Sequence, residues 1–542
     1  MKKLIALLLA LLMVFSMVAC GAKEEAPAEK EETKTEAPKE EAKEETEEAP
    51  AEEEVPAEPV KISLYYSDSS TAPFKADWLA LTETAKLANA EVTVEAIPEG
   101  EYSTPVNLAL DTQENCPDVI MFQEIYGSKA SLCMNGGVVA ISDYSDWTPN
   151  FNAMVEKFGL TGQVDNLKLA DGKRYILPSL HESLEYSGGL ILRTDFLEAN
   201  GFEAPKTFDD LYEILKAYKE QNPDSFPMVH YLASYITHRM IMPAWGCPVG
   251  YWVPPYLGSI AWDYENENYY VTATSDVYRQ YLQFMNKLSD EGLLDPEASA
   301  DDVWSQKMTS GAAICTYAYY DQIAGLEAAS EIEGFDLDLY LPLEGPAGAL
   351  GENRGQAYRG LLFPAPVAER EDFEQVVRAV DAMFYSEEAV KIWALGVEGV
   401  TYNVVDGEIV FVDEAVNSEV GLNKYLQQNY GCGLSGFQSV WPDEYTLMKF
   451  DEEYAEIYAA AAAMNANQPY APEPWFDDIA AEDSAAIGNG AMFDLVETCR
   501  EQFIIGDLDV NDDAAWADYC AQMEEAGLQE YLDIYNEYRN QG

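Results

Sequence analysis

Basic side chains are scarce in this chain: 32 Lys and Arg stand against 97 Asp and Glu, a formal net charge of −65. A surface that acidic repels phosphate backbones and anionic headgroups, which excludes nucleic-acid binding and favours a neutral or cationic ligand. Histidine is scarcer still. His181, His230 and His238 are too few and too scattered for a catalytic or metal constellation, and His181-Glu182 lacks the second His that a zincin helix needs, since Glu stands at 185. No Gly-rich phosphate loop occurs, and Gly433-Leu-Ser-Gly436 lacks the spacing of a nucleophile elbow. Carboxylate pairs carry no weight as a sign of glycosidase chemistry, because 97 acids place some pair everywhere. The eight Cys form no C-x-x-C pair, so a zinc or redox motif has no support. Beyond the first 19 residues no stretch reaches 18 uncharged apolar residues, so the rest of the chain is expected to be soluble.

What is present begins with a sorting signal. Met1-Lys-Lys3 precedes an apolar run, Leu4 to Ala19, which ends in Met17-Val-Ala-Cys20-Gly21. A short basic start, a Leu-rich stretch of sub-bilayer length and small residues before the cut describe a secretory signal over 1–19. The Cys at its end resembles a bacterial lipobox, which implies lipidation of Cys20 and attachment to the membrane through that lipid. Residues 20–59 then hold no aromatic residue and a single Val. Residues 23–58 carry 16 Glu against 5 Lys, too polar and too charged to fold, so a disordered acidic tether is expected. Most of the −65 therefore belongs to the globular remainder, and the chain's 48% apolar and 12% aromatic content supplies a large core.

Strands and helices alternate along that remainder. Strands are predicted at Val60–Tyr66, Glu91–Ile97 and Asp118–Phe122, with a helix at Trp78–Ala88, the order of an α/β domain with a parallel sheet. A second unit opens at Gly188–Asp195. Thr207 with Asp210 forms an acidic capping box. A hairpin at Trp262–Thr274, a helix at Val277–Glu291, strands at Gly311–Tyr317 and Gly360–Pro364 and a helix at Phe373–Phe384 follow. The last 110 residues read as largely helical.

Several motifs in this order resemble family 1 extracellular solute-binding proteins, the receptors of ABC importers, of which maltose-binding protein is the best known. They are Cys116-Pro-Asp-Val-Ile120, Ile191-Leu-Arg-Thr-Asp-Phe-Leu-Glu-Ala-Asn-Gly201 with Ala204-Pro-Lys-Thr-Phe208, Ser310-Gly-Ala-Ala-Ile-Cys315, and Trp393-Ala-Leu-Gly-Val-Glu-Gly-Val-Thr-Tyr402. Phe503-Ile-Ile-Gly506 with Trp516 fits the end of the long Gram-positive lipoprotein branch. The resemblance implies a periplasmic-binding-protein-like type II fold, α/β, with two lobes joined by hinge strands around a central ligand cleft. The first lobe would take 60–185 and about 350–425, the second 186–349 and about 426–542. It also implies a monomer on the extracellular face of the cell membrane, permease subunits as partners, and neither enzyme activity nor a cofactor.

Open α/β sheets bind ligands at the carboxyl ends of their strands. The expected site residues are taken from such exits and from two loops: Tyr66 and Asp68; Gln123, Glu124 and Tyr126; His181 and Glu182; Tyr317 and Tyr319; Trp245 and Trp252; Arg354 and Tyr358. Trp441 is a weaker candidate. Aromatic rings stack on the C–H faces of sugars while carboxylates, amides and Arg bond the hydroxyls, so an oligosaccharide is the leading ligand. Ordinary core packing is the competing reading for every ring. A peptide or other small solute, a surface glycan-degrading enzyme and an adhesion lipoprotein stay open. Asp507-Leu-Asp-Val-Asn511 with Asp513 and Asp518 partly copies a calcium loop, but lacks its Gly and its closing Glu, and a helix-capping cluster explains it as well.

Overall fold

The computed structural model describes residues 58–538 other than 124–127, 170, 232–233, 248–259, 264, 297–302, 352–354, 435, 466–479, 481–482, 484–485 and 488–489. Cys20 and the tether lie outside these residues. The chain first lays down β1 (Val60–Asp68), β2 (Ala90–Pro98), β3 (Val119–Gln123) and β4 (Ile176–His181). It crosses at 182–187 into β5 (Gly188–Arg193), β6 (Met228–Val229), β7 (Cys315–Tyr319) and β8 (Leu337–Leu339), then returns to β9 (Ala357–Leu362) and β10 (Val440–Trp441).

Two sheets result. The first has the order β10-β4-β9-β3-β1-β2, with β1, β2, β3, β4 and β10 pointing one way and β9 the other. Its alternating residues feed two cores: Leu64, Val119, Met121, Leu177 and Leu361 on one face, Ile120, Ile176 and Leu362 on the other. At the β9 bulge the backbones touch so closely that a Cβ on Gly360 would lie 2.1 Å from the Leu177 carbonyl oxygen, which only glycine permits. The second sheet has the order β8-β5-β7-β6, and its core is a separate cluster that also takes in the C-terminal helices Ala491–Ile505, Asp513–Glu525 and Leu528–Glu537. These are the two α/β lobes of the type II fold.

Local sequence explains the helices that cover the sheets. Thr207 and Asp210 exchange the two hydrogen bonds of a capping box, each 3.0 Å, at the start of Phe208–Gln221. Helix Asp276–Asp290 buries Tyr278, Tyr281, Leu282, Met285 and Leu288, a stripe at helical spacing. Asp512 caps Asp513–Glu525 by accepting the Ala514 N–H at 2.9 Å, and Asp513 pairs with Arg279 at 2.8 Å, so these acids of the calcium-like segment act in capping and pairing. The hairpin pairs Ile260–Asp263 with Asn268–Val271. Cys116, Cys133, Cys247, Cys315, Cys432, Cys499 and Cys520 are free thiols. Among the described residues no helix is long and apolar enough to cross a membrane.

The expected boundary at 426 moves. Leu426, Cys432, Leu434, Phe437 and Val440 pack in the first lobe, and β10 pairs with β4, so the last crossing falls after Trp441. Nothing local marks this, because β10 is two residues long and its strand partner lies some 260 positions earlier.

Two of the three histidines lie inside the second lobe, with ring centroids 5.3 Å apart, beside Tyr281, Arg500 and Glu501. Burial pushes His230 down to about 4 and His238 to about 3, opposed only in part by the Glu501 carboxylate. In the unfolded chain both titrate near 6.5, so the unfolded state takes up protons first as pH falls. Their contribution is intact above pH 6.5 and is lost as pH drops toward 4. Urea titrations at pH 7 and pH 4.5 should therefore show His230→Asn losing less stability across that window than wild type, by on the order of 1–2 kcal/mol.

Candidate functional site

The strand directions bring one set of carboxyl ends together. β4 and β10 end at His181 and Trp441, and β9, running the opposite way, begins beside them with Ala357 and Tyr358. Trp441 and His181 are register partners. Neighbouring strands lie about 4.8 Å apart, so rings on adjacent exits fall into contact. His181 stacks on Trp441 with centroids 5.5 Å apart and planes 4° from parallel, and on Tyr358 at 5.1 Å and 15°. The three rings form a ladder along the strand ends, with the histidine in the middle.

Polar groups hold the ladder's rim. The Gln356 side chain donates to the Glu182 carbonyl at 2.6 Å and shares a hydrogen bond with Gln163 at 2.7 Å. Glu182 Oε2 accepts the Asp443 backbone N–H at 2.8 Å, and Ser183 donates its hydroxyl to Asp443. Burial and the neighbouring Glu182 charge raise the Asp443 carboxyl above the usual range. The Tyr358 hydroxyl reaches Glu185 at 3.5 Å. Behind Trp441, the Lys449 ammonium lies 5.7 Å from the ring centroid, with the residue only 6% exposed, and burial lowers it to about 8.

The second sheet presents its own edge at the same crossings. β7 ends at Tyr319, paired with Gly188 where β5 begins. Arg239 donates to the Tyr319 hydroxyl at 2.6 Å, and Tyr231 meets the Tyr319 ring edge-on at 5.9 Å. Tyr320 stacks on Tyr454 at 3.6 Å and is hydrogen-bonded to Asp451. Tyr454 in turn donates to the Tyr186 carbonyl at 2.8 Å, which ties the last crossing to the first. A small pocket below is lined by Tyr186, Gly188, Gly189, Tyr317, Leu350 and Gly351.

Of the expected residues, His181, Glu182 and Tyr358 come together at the first edge, and Tyr319 stands at the second. Asp68 accepts the Phe74 N–H at 2.8 Å and closes the turn after β1. Gln123 ends β3, opposite Gly360. Glu124, Tyr126, Trp252 and Arg354 lie outside the described residues. Three rings expected at the cleft are core residues instead. Tyr66 stacks on Phe437 at 4.3 Å and is 2% exposed. Trp245 packs on Phe208 at 4.5 Å, beneath the helix that carries Tyr281. Tyr317 falls in mid-strand because β7 runs two residues further than predicted, and the strand, covered on both faces, buries every position before Tyr319. Trp441, Asp443 and Arg239 carry more of the site than sequence reasoning gave them. The available signal was an Arg in a chain poor in cations and an acid directly after Trp441-Pro442.

Among the described residues the buried Tyr317 hydroxyl has no hydrogen-bond partner. Tyr317→Phe keeps the ring and removes that orphan, so it should leave stability unchanged or raise it by up to about 1 kcal/mol. Tyr317→Ala should cost about 3–5 kcal/mol through the cavity it opens. Urea titration of both variants without ligand checks the pair.

The model of the bacterial extracellular solute-binding protein family matches residues 80–376. Lipoprotein LipO of Bacillus subtilis (strain 168) is 25% identical over 453 residues, covering 79% of this chain and 83% of its own. The fructooligosaccharide ABC transporter substrate-binding protein FusA of Streptococcus pneumoniae serotype 4 (strain ATCC BAA-334 / TIGR4) is 24% identical, covering 69% of this chain and 68% of its own. Among solved structures, the HMO-binding, ABC-transporter-associated solute-binding protein from Bifidobacterium longum infantis ATCC 15697 superposes with a TM-score of 0.67 at 16% identity, over 89% of this chain and 98% of its own, a likeness of fold. With its two lobes, its crossings and this match over more than half its length, the chain belongs to the bacterial extracellular solute-binding protein family.

Proposed function

We propose that the protein is a lipid-anchored receptor that captures an oligosaccharide outside the cell and delivers it to the permease subunits of an ABC importer. The observation that carries this reading is the ring ladder of Tyr358, His181 and Trp441, rimmed by hydroxyl-bonding groups where the crossings meet. Aromatic surface beside carboxylates and amides matches the alternating apolar faces and hydroxyls of a sugar. FusA, whose name specifies fructooligosaccharides, and the HMO-binding relative support the choice of ligand.

The chain acts without catalysis or a cofactor and as a monomer. Ligand touching the ladder and the Tyr319 edge together favours the closed arrangement by its differential affinity for it. Lipid on Cys20 and the acidic tether hold the lobes at the extracellular face, and the importer's own subunits supply the energy.

A thermal-shift screen against a glycan panel identifies the sugar, since a ligand at 100 times its dissociation constant adds about 2.7 kcal/mol. Tyr358→Ala and Tyr319→Ala, one on each lobe, should each weaken that sugar by about 5- to 150-fold, the equivalent of roughly 1–3 kcal/mol. Small-angle scattering should show wild type contracting at saturation. Tight binding without contraction would overturn hinge closure, a response to peptides alone would overturn the ligand class, and release of reducing ends would mark an enzyme.

The anchor has its own test. Cys20→Ser should send the protein into the medium or leave an uncleaved precursor, with the lobes folded in either case. Retention at wild-type strength by an unprocessed chain would point to a membrane span instead.

A further inference from the structure

Half of the large apolar side chains exposed among the described residues fall in one short stretch of the first lobe. Val400, Val404, Val405, Val410, Val416 and Val420 are each 42–56% exposed. They flank or belong to a two-stranded hairpin, Tyr402–Val405 with Glu408–Phe411. It turns at Asp406-Gly407, both with the positive φ of a type I′ loop. Tyr402 stands opposite Phe411 and both are buried, so that face packs on the lobe. On the outward face Val405 stands opposite Glu408 and Val410 opposite Asn403, which makes the two valines diagonal neighbours. A solvated sheet face ordinarily carries polar residues there. The base of the hairpin is locked. Buried Thr401 accepts the Val397 N–H at 2.9 Å and donates to the Leu395 carbonyl at 2.7 Å, and only glycine fits at 396, where a Cβ would clash with the same hydroxyl. No Lys or Arg occurs from Val397 to Val420. Glu398, Asp406, Glu408, Asp413, Glu414 and Glu419 are all exposed, and none forms an ion pair among the described residues.

Resting on the importer reading, we propose that this hairpin is a docking surface for the importer's membrane-spanning subunits, whose matching face is apolar and rimmed by Lys or Arg. Charge and area decide against the other occupants. A second copy of the chain brings the same acids, and a valine patch on the order of a few hundred Å² falls short of the roughly 800 Å² a side that a stable pair buries. The acidic segment 20–59, with one Val and no aromatic residue, has nothing to bury against it. An anionic bilayer surface is repelled by the carboxylates. A membrane protein with a basic rim is attracted by them, and the valines exclude water at the centre of the contact. The small area suits a partner held in the same membrane. With lipid on Cys20, the 37 residues before Glu58 let the lobes range roughly 30 Å from the anchor, at an effective concentration on the order of a millimolar. Weak contact then suffices, and it permits the receptor to leave and reload. Helix Glu387–Leu395, which leads into the hairpin, packs on Asp443–Leu447 at the last crossing, so the docked surface is braced against the hinge.

Photo-crosslinking of the full chain in its own cells tests the surface without knowledge of the sugar. Benzoylphenylalanine takes the place of Val405 or Val410, with Leu108, 62% exposed elsewhere on the first lobe, as the control position. Adducts from 405 and 410, and not from 108, should contain a multi-spanning subunit of an ABC importer. Adducts with a second copy of the chain or with lipid would overturn the proposal, as would no adduct from either hairpin position. A second measurement follows uptake of the sugar found in the glycan screen. Val404→Thr, Val405→Thr and Val410→Thr together keep the β-branched shape, so the urea midpoint and the sugar affinity of the purified protein should stay at wild-type values while uptake falls about tenfold or more. Glu398→Lys with Glu408→Lys should lower uptake in the same way through the rim. Uptake unchanged in both variants would likewise count against the hairpin. Importer adducts from a protein that binds no glycan in the panel would instead overturn the ligand class and leave the docking surface standing.

Discussion

The structure depends on the position of β4 between β9 and β10. Both neighbours reach it only after the chain has left the first lobe, β9 after the whole of the second sheet and β10 after some 80 further residues. Completing the first sheet therefore forces the chain to cross repeatedly at one edge. It also sets His181, Tyr358 and Trp441 side by side, because strand spacing matches the distance at which rings stack. The hinge region and the aromatic ladder are two results of one pairing pattern.

Electrostatics follows from where the few cations are held. Arg370 bridges Asp118 at 2.6 Å and Asp372 at 2.8 Å, Arg500 is buried against Glu497, and Arg174 lies inside the first lobe over the Phe151 ring. Each of these groups ties elements together within a lobe and contributes little to the surface. At the surface Lys86, Lys157, Lys168 and Lys173 each pair with an acid, Glu83, Glu387, Asp165 and Asp143, and the remaining acids far outnumber them. The acidic exterior thus follows from the numbers, 97 acids against 32 basic side chains, with some of the arginines held inside the lobes.

Much of this was legible in the sequence and some was not, for separable reasons. The first strands, the capping box at Thr207 and the helix after Ser275 depend on local pattern, and the structure keeps them within a few residues. His181 and Glu182 were legible as a strand exit, and Tyr358 as part of an Arg- and aromatic-bearing loop. Tyr317 was not, because the predicted exit came two residues early, and that shift turns an edge residue into a core one. Trp245 lies in a short turn that reads as a loop, yet it is roofed by Phe208 and Phe284, neighbours its own segment does not announce. Trp441 joins the ladder through contact with a residue 260 positions away. Spacing along a chain carries no record of such a contact, and the misplaced lobe boundary near 426 has the same origin.

The late arrival of β10 also has a consequence during synthesis. The residues of β5 to β8 are contiguous but for loops and helices of their own, so most of the second sheet can form while the first is still incomplete. Until Val440 and Trp441 have emerged, one side of β4 is an open row of backbone donors and acceptors, a surface that pairs readily with any passing strand. The first lobe begins the chain, yet its sheet is complete only at that point, so a nascent chain stalled before residue 440 carries an association-prone edge beside His181.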